Sequence, residues 1–400
     1  MIKRVGVVAF EVGRTFSRPS HFRTILSDFW RSGNRLHPDR THLEGAMFWL
    51  CRAQDATGCG GVSAGYFFKR GWMPPYPETT GYIIPTFLDY GAYADDAQFS
   101  ARALEMGDWE IAIQLPTGAV RGGMGLRDYP IVFNTGQVML GWMALYRATQ
   151  MERFLYAAVR AADWLVDIQD DDGKWSTHTF MQVAHAYHTR VAWPLLEVYA
   201  ATGNKKYQAA AQRNIIWTLD RSRSNGWIDH MGFEPQSRPL THTIAYTLRG
   251  LSESAAHLEK GVGDACLAAV YKASENIIAK YELATNCAAT RTPILPATLD
   301  ETWSSPDRYS CPTGNAQLAI LWLKLSQSNP DGPFAAAALH LLDQVKAAQP
   351  LHSGNPGIRG GVAASHPIWG AYVPFAYLNW AAKFFADALM NKANSDTKTK

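Results

Sequence analysis

The chain of 400 residues is poor in cysteine: five residues stand at positions 51, 59, 266, 287 and 311, with no Cys-x-x-Cys pair. An odd, scattered set excludes a disulfide framework and predicts buried thiols in a reducing compartment, hence a cytoplasmic location. Charge is sparse as well. Thirty-eight Lys and Arg against 35 Asp and Glu leave a net of +3, which offers no support for binding nucleic acid or an anionic membrane. Long apolar runs are missing. Val5 to Phe10 ends at Glu11, too short for a secretory core and far too short to span a bilayer, so no membrane insertion is expected. His185 and His188 lie three apart, but no third ligand stands at metal-binding spacing nearby, so neither a metal nor a cofactor is expected.

What the chain has instead is apolar and aromatic content, 47% hydrophobic with 14 Trp, arranged as a repeat. The clearest copy is Ala161-Ala-Asp-Trp-Leu-Val-Asp-Ile-Gln169, followed by an Asp-rich turn at Gly173 and by Trp175. It reads as the end of an amphipathic helix closed by a glycine turn. Phe48 to Gln54 with Gly58, and Trp109 to Gln114 with Gly118, carry the same pattern; weaker copies end at Gly226-Trp227 and Gln349. After each copy a Thr precedes a long apolar-periodic run, at Thr80, Thr135, Thr189, Thr243 and Thr313. The expected role of these threonines is helix N-capping. A sixth start is expected near Trp369-Gly-Ala-Tyr372.

Alternating outer and inner helices predict an all-α fold, a closed (α/α)6 toroid of six hairpins, since one hairpin cannot bury its apolar face alone. An open solenoid needs polar terminal caps, yet Tyr372 to Leu389 is as apolar as the middle runs. Inner helices are expected to begin near 80, 135, 189, 243, 313 and 370. Residues 1–40 read as an extension packing on the ring, 41–391 as one toroid domain and the polar 392–400 as a disordered tail. Inner-to-outer links are short and outer-to-inner links long. All long loops therefore emerge on one face, together with the N-termini of the inner helices, where function is usually placed.

Aligning the inner-helix starts puts Glu78, Asn134, His188, His242, Pro312 and Ile368 at the mouth of the ring. The next turn adds Tyr82, Gln137, Arg190, Asn315, Gln317 and Tyr372, and the long loops bring Trp303, Arg308, Tyr309 and Trp369. Glu78 beside aromatics is a candidate general acid; the bland reading is a charge complementing the helix dipole. His188 and His242 stand at equivalent repeat positions, as an acid and base pair or as capping and core histidines. Tyr82 is a candidate base. Asn134, Gln137, Arg190, Trp303, Arg308, Tyr309, Asn315, Gln317, Trp369 and Tyr372 are candidate substrate contacts.

The ring of hairpins resembles the six-hairpin (α/α) toroids, a group with many glycosidases, polysaccharide lyases and sugar epimerases. The Gln–Gly–Trp ending at Gln169, Gly173 and Trp175 is similar to the QW repeat of terpenoid cyclases. The resemblance implies a carbohydrate-active enzyme working by general acid/base chemistry on a glycan or oligosaccharide, uronic-acid-containing ones included, as a glycoside hydrolase or lyase. A sugar epimerase using a His pair is the next expectation, and a non-catalytic glycan- or protein-binding toroid a third. The unsaturated glucuronyl hydrolases are similar in hairpin spacing and in a His where His188 stands, but place an Asp where this chain has Asn134. The acylglucosamine 2-epimerases are similar in length and in using two histidines. A terpenoid-cyclase-like activity would need an Asp-x-Asp-Asp acid in the cavity, and Asp170-Asp-Asp172 lies in the repeat turn.

Overall fold

The computed structural model describes residues 18–29, 36–284 and 294–398. The described residues begin with α1 (Pro19–Phe29) and continue as α2 (Asp39–Asp55), α3 (Pro77–Ala94), α4 (Ala97–Ile113), α5 (Val132–Thr149) and α6 (Glu152–Asp167). It then forms α7 (Thr189–Thr202), α8 (Lys205–Leu219), α9 (Thr241–Ser254), α10 (Lys260–Lys280), α11 (Pro312–Ser328), α12 (Phe334–Ala347) and α13 (Asn379–Lys398). Helices α3, α5, α7, α9, α11 and α13 pack side by side, each on the next, and α13 returns to α3. That is a closed inner ring. The inner helices are buried on nearly every side, as α5 is from Val132 to Leu145, because the outer layer covers the face that the ring does not.

The ring is closed by the two ends of the described chain, since α2 packs on α13. His42 on α2 and Gln349 after α12 bond twice, Nδ1 to Oε1 at 2.5 Å and Gln349 Nε2 to the His42 carbonyl at 3.0 Å. Lys346 reaches Asp39 at 2.7 Å across the same seam.

The repeat turn has a structural cause. Gln169 Nε2 donates to the Gly173 carbonyl at 2.8 Å and to the Ala210 carbonyl of the next outer helix, α8, at 2.9 Å. Gln114 does the same to Gly118 and Ala157, Gln349 to Gly360 and His42, and Gln54 to Gly60 and Arg102. The first copy therefore uses Gly60 rather than Gly58. At Gly173 the backbone has φ +91°, and a Cβ would meet the Arg213 carbonyl at 2.5 Å, so both the conformation and the contact demand glycine. Trp175 is buried and its indole donates to the Leu165 carbonyl at 2.9 Å.

The threonines are not N-caps, for the inner helices at Thr80 and Thr135 show no side-chain cap. Thr80 Oγ1 accepts from the Val62 amide and Thr135 Oγ1 from the Val120 amide, 2.9 and 3.0 Å away. Each pins the preceding long loop to its inner helix. The glycine after the threonine lets neighbouring inner helices touch: a Cβ on Gly81 would stand 2.4 Å from Val138 Cα.

Five inner helices begin within three residues of the expected starts. The sixth does not, for α13 starts at Asn379 rather than near 370. Pro374 and the positive φ of Val373 and Phe375 break helical geometry there. The segment forms instead β5 (Ala376–Leu378), which pairs antiparallel with β1 (Gly65–Phe67); β1 also pairs with β2 (Gly71–Trp72). In the second long loop β3 (Arg121–Gly122) pairs with β4 (Arg127–Pro130). At the other end α13 runs to Lys398, so residues 392–398 are helical and not the expected disordered tail. A Lys392–Asp39 ion pair and the Ser395 hydroxyl on the Asn391 carbonyl hold that turn. Helix α1 lies on the long-loop side, with His21 stacked on Phe68 at 4.1 Å; the other residues of the 1–17 and 30–35 stretches, and Cys287, lie outside the described residues. Among the described residues no helix is long and apolar enough to cross a membrane.

Candidate active site

A cavity of about 430 Å³ opens at the long-loop end of the inner ring. Its wall includes Tyr76, Glu78 and Tyr82 from α3 and the residue before it, and Phe133 and Asn134 from α5. His242 and Tyr246 come from α9, Trp380 from α13 and Tyr372 from the loop before it. Loops add Tyr129, Phe180, Tyr187, Phe233 and Glu234.

Glu78 lines this wall beside a tyrosine partner. The Tyr76 hydroxyl donates to Glu78 Oε2 at 2.5 Å. Burial pushes the Glu78 carboxyl up to about 7, outweighing the Tyr76 hydrogen bond and the distant positive charge of Arg190, which both favour the anion. Such a carboxyl carries its proton through much of the neutral range and can release it. Glu234 differs: it stands on an exposed loop between α8 and α9, and none of the described residues bonds its carboxylate.

His242 also reaches the cavity, but not as an acid near neutral pH. Burial and then the charge of Arg190 push its imidazole down to about 3. The Trp380 indole donates to the Tyr372 oxygen at 3.1 Å, and Tyr372 lies 3.0 Å from His242 Nδ1. With the phenol proton directed at Nδ1, the imidazole keeps its own proton on Nε2, which has no protein partner among the described residues. His242 is therefore a neutral imidazole at the wall.

His188 does not join it. It belongs to a 3-10 turn, Ala186–His188, ahead of α7, whereas Glu78, Asn134 and His242 stand inside the first turns of their helices. The shift turns its ring into the core against Trp175, His185 and Tyr187, with centroids 5.9, 5.4 and 5.2 Å away, and Tyr187 takes the place at the cavity. The expected histidine pair is not assembled. His185 is also structural, each ring nitrogen facing a backbone carbonyl, of Gly232 at 3.0 Å and Phe180 at 2.8 Å.

The remaining candidates divide. Tyr82, Asn134 and Tyr372 line the cavity, and Asn134 is oriented by the Arg121 carbonyl at 2.9 Å. The Tyr82 and Tyr246 hydroxyls face each other and act on each other electrostatically, and burial pushes both phenols up. Arg190 and Gln137 sit beneath the wall instead. The Arg190 guanidinium gives Nε and Nη2 to Gln137 Oε1 at 3.1 and 2.7 Å and lies 5.2 Å from the Tyr246 ring centre. Its charge reaches the cavity while its atoms do not line it. Asn315 points outward to Gln344 of α12 at 2.9 Å, and Gln317 is buried away from the wall. Trp303 is buried against Trp227 at 5.1 Å, tying two loops together. Arg308 and Trp369 are exposed outside the cavity, and Tyr309 packs at Gly370. Asp300 and Asp307 are spent on loop structure, bonding Thr302 and Ser304, and Thr298.

Sequence reasoning missed Tyr76, Tyr187, Tyr246, Trp380 and Glu234 as wall residues. A signal existed for one of them: Tyr246 follows His242 by four residues, on the same face of one helix, as Tyr82 follows Glu78. Among the described residues no cluster of His, Cys, Asp and Glu is arranged to hold a metal.

In fold, the chain is similar to an unsaturated glucuronyl hydrolase specific for heparin, with TM-score 0.68 at 15% identity over 90% of this chain and 98% of that one. The six-hairpin (α/α)6 toroid is its fold. It is also similar to the cellobiose 2-epimerase of Bacillus thermoamylovorans B4167, with TM-score 0.66 at 10% identity over 88% and 97%. The unsaturated glucuronyl hydrolase of Streptococcus agalactiae gives 0.65 at 14% over 91% and 94%. By sequence, the family described as Beta-L-arabinofuranosidase, GH127 catalytic domain, matches residues 127–311 of this toroid. That span holds Asn134, Glu234 and His242 but neither Glu78 nor Tyr372. A search among curated proteins finds no match.

Proposed function

We propose that this toroid is a glycoside hydrolase acting on a glycan or oligosaccharide, with Glu78 as general acid and Glu234 as the carboxylate that activates water. The observation that carries the reading is the Glu78 carboxyl, held protonated to about pH 7 by burial in an aromatic cavity. The two carboxyl groups share one cavity in unlike surroundings, one half-buried and one exposed, which is how a pair divides into acid and base. Protonated Glu78 gives its proton to the glycosidic oxygen as the anomeric C–O bond breaks. Glu234 takes a proton from the attacking water as the new C–O bond forms. Tyr129, Phe133, Phe180, Phe233 and Trp380 supply faces on which a sugar ring can stack. His242 Nε2 and Asn134 supply polar contacts.

The reading is supported by the matched family, an arabinofuranosidase catalytic domain, and by two fold neighbours that are glucuronyl hydrolases. An epimerase is among the neighbours too, but the facing bases that the epimerase reading expects at His188 and His242 are not brought together here. The test is a panel of neutral, uronic and unsaturated oligosaccharides followed by mass spectrometry. Products that gain one water support hydrolysis. An ultraviolet-absorbing double bond in the product, or an isomer of unchanged mass, overturns it.

A further inference from the structure

A second cavity, of about 380 Å³, adjoins the first, and Glu234 lines both. It is built by two loops held in register. Asn225 Nδ2 donates to the Glu301 carbonyl at 2.8 Å, and the Trp303 indole returns a bond to the Asn225 carbonyl at 3.0 Å. His185 forms part of its floor and anchors Gly232, two residues before Glu234.

Its charged groups are of two kinds. Some are already satisfied: Asp229 is held by Arg223 at 2.7 Å and by the Trp227 indole at 3.1 Å, and Asp300 by Thr302 and Ser304. The side chains of Glu234, Arg238 and Glu301 line the cavity with no hydrogen bond or ion pair to any described residue. A carboxylate accepts from two hydroxyls and a guanidinium donates to several, so such free groups suit the vicinal hydroxyls of a sugar.

We propose that this second cavity is the subsite for the neighbouring sugar of an oligosaccharide, with Arg238 and Glu301 binding its hydroxyls and Glu234 at the junction of the two subsites. The proposal rests on the glycoside hydrolase reading. It makes the protein an enzyme for chains of two or more sugars rather than for lone glycosides.

The experiment is calorimetric binding to the Glu78→Gln protein, whose turnover is expected to fall by ~100-fold or more. The probes are monosaccharide, disaccharide and trisaccharide members of the neutral and uronic series in the panel. At least one series binds ten-fold or more tighter as disaccharide than as monosaccharide. The Arg238→Ala/Glu301→Gln protein, in the same background and with unchanged circular dichroism, loses that gain while its monosaccharide affinity stays. Affinity independent of chain length overturns the subsite, and so does a gain that survives the double substitution; neither touches the hydrolase reading if the wild type releases products. Absence of any binding together with absence of turnover overturns both.

Discussion

The Tyr76 hydroxyl donates to Glu78 Oε2 at 2.5 Å in the half-buried wall of the cavity. The bond opposes burial: it favours the carboxylate while desolvation favours the acid. Tyr76→Phe therefore removes a force holding the Glu78 value down. Activity that needs the protonated acid falls as pH rises through about 7, and in this variant that limb moves to higher pH. A pH profile of kcat/KM checks it; a limb moving down contradicts the assignment of Glu78.

Removing the acid itself separates chemistry from folding. Glu78→Gln is expected to lower turnover by ~100-fold to 10,000-fold. It should also stabilise the protein at alkaline pH. The folded Glu78 binds a proton more tightly than the unfolded one, so its presence lowers stability as pH rises from the ordinary carboxylate range to about 7. Relief is on the order of 2–3 kcal/mol at pH 8 and vanishes near pH 4. Denaturant unfolding at both pH values reads it.

The two histidines are expected to fail differently. His188→Ala leaves a void among Trp175, His185 and Tyr187 and costs roughly 2–4 kcal/mol of stability, with turnover of the folded fraction preserved. His242→Ala removes a wall imidazole and lowers kcat/KM by roughly 10-fold to 100-fold. Because its folded value lies far below the ordinary imidazole range, His242 also adds stability that is present above about pH 6.5 and is lost as pH falls toward 3. The His242→Ala protein should show a shallower acid limb of stability. Equal kinetic losses in both variants, with unchanged melting, would restore the paired mechanism.

The repeat turn gives a purely structural test. Trp175→Ala should cost on the order of 3–5 kcal/mol, and Gln169→Ala about 1–3 kcal/mol for its two part-buried bonds. Both variants should keep their pH profile once folded. Lost activity with an unchanged melting temperature would move these residues to the site.

Why the ring was legible while half the site was not can be read from single residues. Gln169, Gly173 and Trp175 recur because each outer helix must be tied to the next by the same bonds, and a recurring physical need leaves a recurring pattern. Thr80 and Thr135 were visible for the same reason, although they bind loop amides and not their own helix ends. The cavity obeys no such repetition. His188 looks equivalent to His242 when starts are aligned, yet a 3-10 turn rotates it out. Arg190, in the first turn of the helix that follows, reaches Gln137 and the Tyr246 ring beneath the wall instead of the cavity. Glu234 lies in an irregular loop, where neither periodicity nor spacing marks it.

The seam between α2 and the last two helices, α12 and α13, also sets the order in which the fold can be completed. His42 and Gln349 are 307 positions apart, so their bonds close a loop comprising most of the chain. The successive hairpins from α3 to α12 can dock on their neighbours as they emerge from synthesis. The apolar side of α2 has no final partner until Asn379 to Met390 has been made. Nascent chains that stop short of that point present an open arc with two raw edges, a natural target for chaperones and a natural template for edge-to-edge association.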